Sequence, residues 1–385
     1  ALLLLTSGRL LAQHTTKMEV TLDAQNNTLQ VDQELTYFNQ TNDTIDTLVL
    51  NDWNHAYSDK NSLMGKRFSD EFVRSFHFAS EKERGNTKIN AITDAQKVTL
   101  AWHRLDNQVD LIAIPLQQKI LPFEKRTFHL NYTVKIPSDR FTRYGYDEEK
   151  GFVLKNWYLI PPRFENHQFV KYSNGDLDDM ATGLCDYELS VAIPDNYQLN
   201  SDLNELGKTK TEAQTTYVLS GKQRTDFSLF IEPKSKFYSY KNEQVEVVTN
   251  LKDNNLNDIQ KAIVIDRVVN YVSETIGVYP YQKITVSEVD YERNPFYGLN
   301  QLPSFINVFQ DEFVFELKFL KTYLNNYLKN SLHLDPRKDH WIYDGIQVYA
   351  MMQYIEEYRP EMKMLGGLSK LKILKSFNII NLDFN

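Results

Sequence analysis

Four polar side chains set in or beside the most apolar part of this chain are its candidates for chemistry: Lys321, Thr322 and Asn325 in one stretch, and Asp344 beyond a short polar break. Around the first three, Phe315, Phe319, Leu320, Tyr323, Leu324, Tyr327 and Leu328 recur with the 3.6-residue period of a helix. Val314, Leu317 and Leu332 widen the apolar arc beyond the stripe of a surface helix, so this helix is expected to be mostly buried. Lys321 lies at the edge of the arc, between Leu328 and Leu332 on the helical wheel, with Asn325 one turn further on. An isolated buried ammonium is strongly penalised, so Lys321 must either reach water along its aliphatic stem or find a partner.

Elsewhere the chain offers little reactive chemistry. Among the eight histidines, His333 and His340 flank the break between the two helices with no carboxylate at ligand spacing, a poor basis for a metal site. There is no G-x-S-x-G turn for a nucleophilic serine and no phosphate-cradling P-loop. The single cysteine, Cys185, excludes an intrachain disulfide and reads as a small buried hydrophobe at the start of a strand.

Three runs carry a resemblance. Tyr297-Gly298-Leu299-Asn300-Gln301-Leu302-Pro303 is followed by Lys321-Thr322-Tyr323-Leu324-Asn325-Asn326-Tyr327-Leu328-Lys329-Asn330, and then by Trp341-Ile342-Tyr343-Asp344-Gly345-Ile346-Gln347-Val348-Tyr349. Together they resemble the aminopeptidase N family of gluzincin zinc metallopeptidases. There a Gly-Ala-Met-Glu-Asn-like strand precedes a helix with H-E-x-x-H-x-W-x-x-N, and a later glutamate sits within W-L-x-E-G-x-A-x-Y. In this register Tyr327 and Asn330 fall on the family's Trp and Asn, and Asp344, nineteen positions after Asn325, falls where the third ligand belongs. The resemblance implies zinc held by two histidines one helical turn apart, with the glutamate between them as base. Here those positions read Lys321, Thr322 and Asn325. An ammonium has no lone pair, threonine is no base near neutral pH, and a neutral amide is a poor zinc ligand. Only Asp344 keeps a carboxylate, so neither zinc nor a catalytic residue is expected. Gln301 replaces the glutamate that would receive a substrate's α-amine, and Tyr297, Gly298, Gln301 and Tyr323 are the expected cleft lining. The reading preferred for Lys321 is that its ammonium replaces the metal by pairing with Asp344 in an apolar cleft. In the plainer alternative Lys321 reaches solvent and Asp344 caps its helix.

With 385 residues, 42% hydrophobic and 24% charged, the chain has the composition of an ordinary globular protein of two to three domains. A formal charge of −8 and the lack of a Lys/Arg cluster argue against nucleic acid as a partner. Residues 1–13, with Leu2 to Leu5 and Leu10-Leu11-Ala12, resemble the tail of a secretory signal peptide cleaved after Ala12. No later run reaches the ~18 apolar residues of a membrane span, so an exported periplasmic or envelope protein is expected. At the other end Ser376 to Asn385 stops without a cap, which reads as a fragment of a longer frame whose catalytic tyrosine would lie further on.

From Lys17 the sequence alternates as strands do, in Lys17–Asp23, Thr28–Asn39, Thr44–Leu50, Ile89–Ile92, Lys97–His103, Gln108–Ile114 and Arg126–Ile136. The aromatic stretch Ser138–Asp179 reads as an irregular hydrophobic seam over one sheet, with a peptide-binding ledge as the alternative, and strands resume at Tyr187–Ile193, Thr216–Leu219 and Asp226–Glu232. A linker at Pro233–Asn242 separates residues 14–235, an antiparallel β domain similar to the family's saddle-shaped one, from residues 236–385. There the strand Val245–Thr249, the helix Leu256–Ile276 stopped by Gly277, and strands at Lys283–Val289 and Ser304–Val308 suggest a thermolysin-like α+β domain, truncated at its end.

The expected class is therefore an α+β multidomain protein. Its preferred function is that of an exported aminopeptidase-like protein without zinc or catalysis, a pseudoenzyme binding a peptide or protein partner. An active zinc aminopeptidase with an atypical site is one alternative. A structural envelope protein with a vestigial cleft is the other.

Overall fold

A computed structural model describes residues 14–253, 256–296 and 309–360. The expected signal-peptide remnant, the cleft residues Tyr297, Gly298 and Gln301, the strand at Ser304–Val308 and the terminal stretch Ser376–Asn385 lie outside the described residues. The chain divides into two compact units, Ala1–Ser235 and Lys236–Asn385.

The first unit is built on strands. In chain order they are β1 (His14–Asp23), β2 (Thr28–Phe38), β3 (Ile45–Asn51), β4 (Asn86–Asp94), β5 (His103–Leu105), β6 (Gln108–Ile120) and β7 (Lys125–Lys135). The aromatic seam contributes β8 (Gly145–Asp147), β9 (Gly151–Lys155), β10 (Phe164–Glu165) and β11 (Gln168–Phe169). Then follow β12 (Cys185–Pro194), β13 (Gln198–Ser201), β14 (Asn204–Lys210), β15 (Gln214–Arg224) and β16 (Ser228–Glu232). Seven of them form one sheet in the order β14-β15-β12-β1-β2-β7-β4, antiparallel except where β1 runs parallel to β12. Its strands bury alternate residues, Met18, Val20 and Leu22 on β1 and Phe128, Leu130, Tyr132 and Val134 on β7, as a half-covered sheet must.

That buried face joins one continuous core with the smaller sheets β3-β6-β5 and β13-β16-β9-β8. Gln33 is a polar residue inside it, and every hydrogen bond it needs is supplied. Its Nε2 donates to Thr16 Oγ1 at 2.9 Å and to the Leu159 carbonyl at 2.8 Å, while Tyr132 Oη donates to its Oε1 at 2.7 Å. Cys185 is fully buried at the start of β12, and burial raises its thiol pKa far above the usual value. Asp52 to Glu83, which alternates poorly, folds as a 3-10 turn and two helices, α1 (Leu63–Asp70) and α2 (Arg74–His77), around a small aromatic cluster.

One expected strand is corrected. Lys97–His103 is not a strand, because Asp94 Oδ1 accepts from the amides of Gln96 and Val98, both at 2.9 Å, and Lys97 adopts a positive φ of 63°. That turn breaks the extended run, leaving a single bridge from Thr93 to Thr99 and the three-residue β5.

The second unit opens with β17 (Tyr238–Lys241) and β18 (Glu246–Thr249), then α3 (Asp258–Thr275) and β19 (Lys283–Val286). The expected linker thus contains a strand, β17, which finds an antiparallel partner in β18. β18 and β19 run parallel with α3 between them, a β-α-β crossover. Asn257 and Gln260 form a capping box at the start of α3, and Gly277, at φ +143°, takes the chain away from its end. The strand expected to Val289 stops at Val286, because Ser287 and Asp290 cap α4 (Glu288–Arg293).

Two long helices complete the described residues, α5 (Asp311–Leu332) and α6 (His340–Tyr358). Along one face of α5, Phe315, Phe319, Tyr323 and Tyr327 stack at successive centroid distances of 6.2, 5.7 and 6.2 Å. Beside this ladder Glu316 is fully buried. Arg267 of α3 reaches its carboxylate at 2.6 Å, Arg359 at 2.6 and 2.7 Å, and Tyr354 Oη donates to it as well. A buried carboxylate is tolerated only when so fully paired, so this network fixes the register of three helices.

Two predictions follow from these contacts. Replacing Glu316 by Ala takes from Arg267 its carboxylate partner and leaves Arg359 with Glu312 at 2.6 Å, and should lower the stability of the second unit by about 3 kcal/mol in urea titration, with Glu316→Gln less costly; unchanged stability would show that the network is dispensable. In the first unit His14 stacks on Tyr37 at 4.7 Å, and its Nδ1 accepts from the Phe38 amide at 3.2 Å. Burial lowers the pKa of His14 from 6.5 to about 4. The unfolded chain therefore takes up this proton first, so the stabilisation is complete above the unfolded pKa and fades as pH falls toward the folded one. Between those limits the natural chain should lose about 2 kcal/mol more than His14→Phe, measured by urea titration at a series of pH values.

Candidate functional site

Helix α5 packs beside α6, and the two helices run antiparallel with their contacts in step. At one end are Glu316, Tyr354 and Arg359; at the other, Tyr343 Oη accepts from the Leu334 amide at 2.9 Å. Midway, Lys321 meets Gln347. The Lys321 Nζ donates to Gln347 Oε1 at 3.2 Å, and Gln347 Nε2 donates back to the Lys321 carbonyl at 3.0 Å. Gln347 is 5% exposed and Lys321 half-buried, so this reciprocal clasp is partly shielded from water.

The expected ion pair between Lys321 and Asp344 is not formed. The Asp344 carboxylate instead lies 3.2 Å from His340 Nε2, one turn back on α6, in a largely exposed pair, so His340 does have a carboxylate one helical turn away, contrary to the expectation from sequence. It does not cap its helix either, since Asp339 occupies the N-cap position. Burial pulls the pKa of Lys321 down, and the through-space attraction of Asp344 offsets part of that effect. The reason for the difference is geometric. Gln347 lies one turn beyond Asp344 on the side of α6 that packs against α5, whereas Asp344 sits toward water.

The remaining expected residues serve the helix itself. Thr322 is 2% exposed and its hydroxyl donates to the Lys318 carbonyl at 2.9 Å, one turn back. Asn325 Nδ2 donates to Asn326 Oδ1 at 3.2 Å. Tyr323, expected on a cleft wall, is wholly buried within the aromatic ladder, and burial raises its hydroxyl pKa. The structure thus sets Lys321 in the inter-helix seam and Asp344 on the water side of α6, with Asn325 on the half-buried side of α5, and turns Thr322 and Tyr323 inward.

Neighbouring residues pin α5 to the rest of the unit. Asn326 Nδ2 donates to the Thr285 carbonyl at 2.8 Å and to Asp290 Oδ2 at 3.1 Å. Tyr327 Oη donates to the Gly277 carbonyl at 2.7 Å, and Asn330 Nδ2 to Tyr279 Oη at 2.9 Å. Gln347 is the site residue that sequence reasoning missed. Its signal was a lone polar residue in the inward stripe Tyr343, Gln347, Ala350, Met351 and Tyr354 of α6. Among the described residues no group of three or more His, Cys, Asp or Glu side chains could hold a metal ion.

No protein-family model matches this sequence, and no curated protein does. Solved structures are similar to it. The M1 zinc metallopeptidase from Deinococcus radiodurans aligns with a TM-score of 0.53 at 12% identity, over 89% of this chain and 70% of that one. A mutant of that enzyme bound to a Tyr-Ser-Ala substrate gives 0.54 at 14% identity, with the same coverage. A two-domain M1 zinc metallopeptidase mutant bound to L-arginine gives 0.52 at 12%, again over 89% and 70% of the two chains. The mixed α+β architecture described above is therefore similar in fold to the two-domain M1 zinc metallopeptidases.

Proposed function

We propose that this chain is an exported, peptidase-like protein that holds no zinc, cleaves no peptide, and acts by binding a peptide or protein partner. The observation that carries the reading is the Lys321–Gln347 clasp, with hydrogen bonds of 3.2 and 3.0 Å across the seam where the resemblance aligns the metal ligands. The donor set does not fit zinc. A lysine ammonium offers three donors and no lone pair, and as a cation it opposes a second one nearby. The Thr322 hydroxyl is committed to its own helix, Asn325 offers a neutral amide, and the one carboxylate, Asp344, is turned toward His340. One hard ligand among four positions is too few, since a catalytic zinc takes three protein ligands.

Partner binding is supported by the fold likeness, one of the similar structures being a mutant with a Tyr-Ser-Ala substrate bound. Export is supported by the apolar run Leu2–Leu5 and Leu10–Ala12.

Elemental analysis of the purified, chelator-free protein is expected to find no stoichiometric zinc, and an alanyl chromogenic peptide is expected to remain uncleaved. One zinc per chain with turnover would overturn the reading. A double-mutant cycle tests the clasp itself. Gln347→Leu strands the Lys321 amine and should destabilise by about 2 kcal/mol, Lys321→Met should cost half that or less, and the pair should show about 1 kcal/mol of coupling in urea titration. Strict additivity would mean that the two side chains do not interact in solution.

A further inference from the structure

The outward face of the seven-stranded sheet forms a concave groove of about 620 Å³ that crosses all seven of its strands. The side chains along it do not neutralise one another. In one row across the strands charges alternate: Lys17 pairs with Glu188 at 3.3 Å, and Glu34 approaches His129 at 3.9 Å. In the next row Glu19 stands directly opposite Asp32 in antiparallel register. Asp32 accepts a hydrogen bond from Asn131 Nδ2, while Glu19 makes no hydrogen bond or ion pair among the described residues. Like charges directly opposed on neighbouring strands destabilise a sheet, so folding alone gives no reason for this pair.

Along the same row, beyond Ser190, lies an apolar shelf. Val218 is 43% exposed, and Leu206, next to it on the edge strand β14, is 68% exposed. Strands lie about 4.8 Å apart, so the point between Leu206 and Val218, on β14 and β15, is three strand spacings, or about 14 Å, from the point between Glu19 and Asp32, on β1 and β2. An extended chain covers that distance in about four residues, an even number that returns the side chain to the same face.

We propose that this groove binds an extended polypeptide segment of another protein, one that presents a Lys or Arg to Glu19 and Asp32 and an apolar side chain, four residues away, to Leu206 and Val218. The argument is charge complementarity. A cation between the two carboxylates removes the repulsion that the folded sheet retains, and four carboxylates against one ammonium leave the groove acidic enough to favour one. The apolar shelf fixes which way the segment lies. This names a surface for the partner-binding role proposed above and rests on that role; the zinc measurement does not bear on it, so the two can fail separately.

The test uses the full chain and a fluorescently labelled peptide carrying the spacing Leu-Ser-Ser-Ser-Arg, with the same residues scrambled as control, read by anisotropy. Binding of the spaced peptide, weaker at 200 mM than at 20 mM salt, is expected. Glu19→Gln and Asp32→Asn should each weaken it about tenfold and Leu206→Ser about threefold. The two carboxylate substitutions relieve repulsion, so thermal melting should show both folded at or above the natural stability. No binding, equal binding of the scrambled peptide, or binding indifferent to Glu19→Gln and Asp32→Asn would overturn the proposal. So would a calcium titration showing the ion bound between the carboxylates with the peptide unable to displace it, since the occupant would then be a metal.

Discussion

A carboxylate removed from water, Glu316, governs how the second unit is assembled. Burying a charge is tolerable only with close counter-charges, and these arrive from two other helices, Arg267 on α3 and Arg359 at the end of α6. Once they are in place α5 and α6 have no freedom to slide. The register set there continues along the seam, so Lys321 meets Gln347 and Tyr343 meets the chain after α5. The geometry of the candidate site is thus a consequence of a charge network several residues away from it.

Across the seam a neutral glutamine bridges the two helices, accepting from the Lys321 side chain and donating to its backbone. The amide suits the task because it carries donor and acceptor together. A carboxylate in the same place would bond the ammonium but could not donate to the carbonyl. The half-buried ammonium keeps enough neighbouring negative potential from Asp344 to limit its desolvation.

The first unit keeps a sharp separation between its two sheet faces. Inside, even the polar Gln33 has its bonds filled, and Tyr158, Tyr187 and Phe227 pack ring on ring, with Phe227 4.6 and 4.9 Å from the two tyrosines. Outside, the groove leaves Glu19 and Asp32 side by side. On the inner face of β2 the polar Gln33 is fully hydrogen-bonded, whereas on the outer face of the same strand Asp32 stands opposite a like charge.

The sequence by itself determined the elements. The period of two placed β1, β2 and β7 to within a few residues, and the period of 3.6 placed α3 and α5, because both depend on neighbours a few positions apart. It also marked Lys321 as a residue needing a partner, since burial of an ammonium is costly in any fold. Only the tertiary structure decided which partner. Gln347 lies 26 residues away, and the choice between it and Asp344 turns on which side of α6 faces α5. That orientation is set by Glu316, whose own partners are 49 and 43 residues distant. The same holds for β17, a strand only because β18 pairs with it, and for Lys97–His103, where a local turn at Asp94 prevails over alternation. Periodicity is written in the local chain, whereas the pairing of charges and amides belongs to surfaces that meet only after folding.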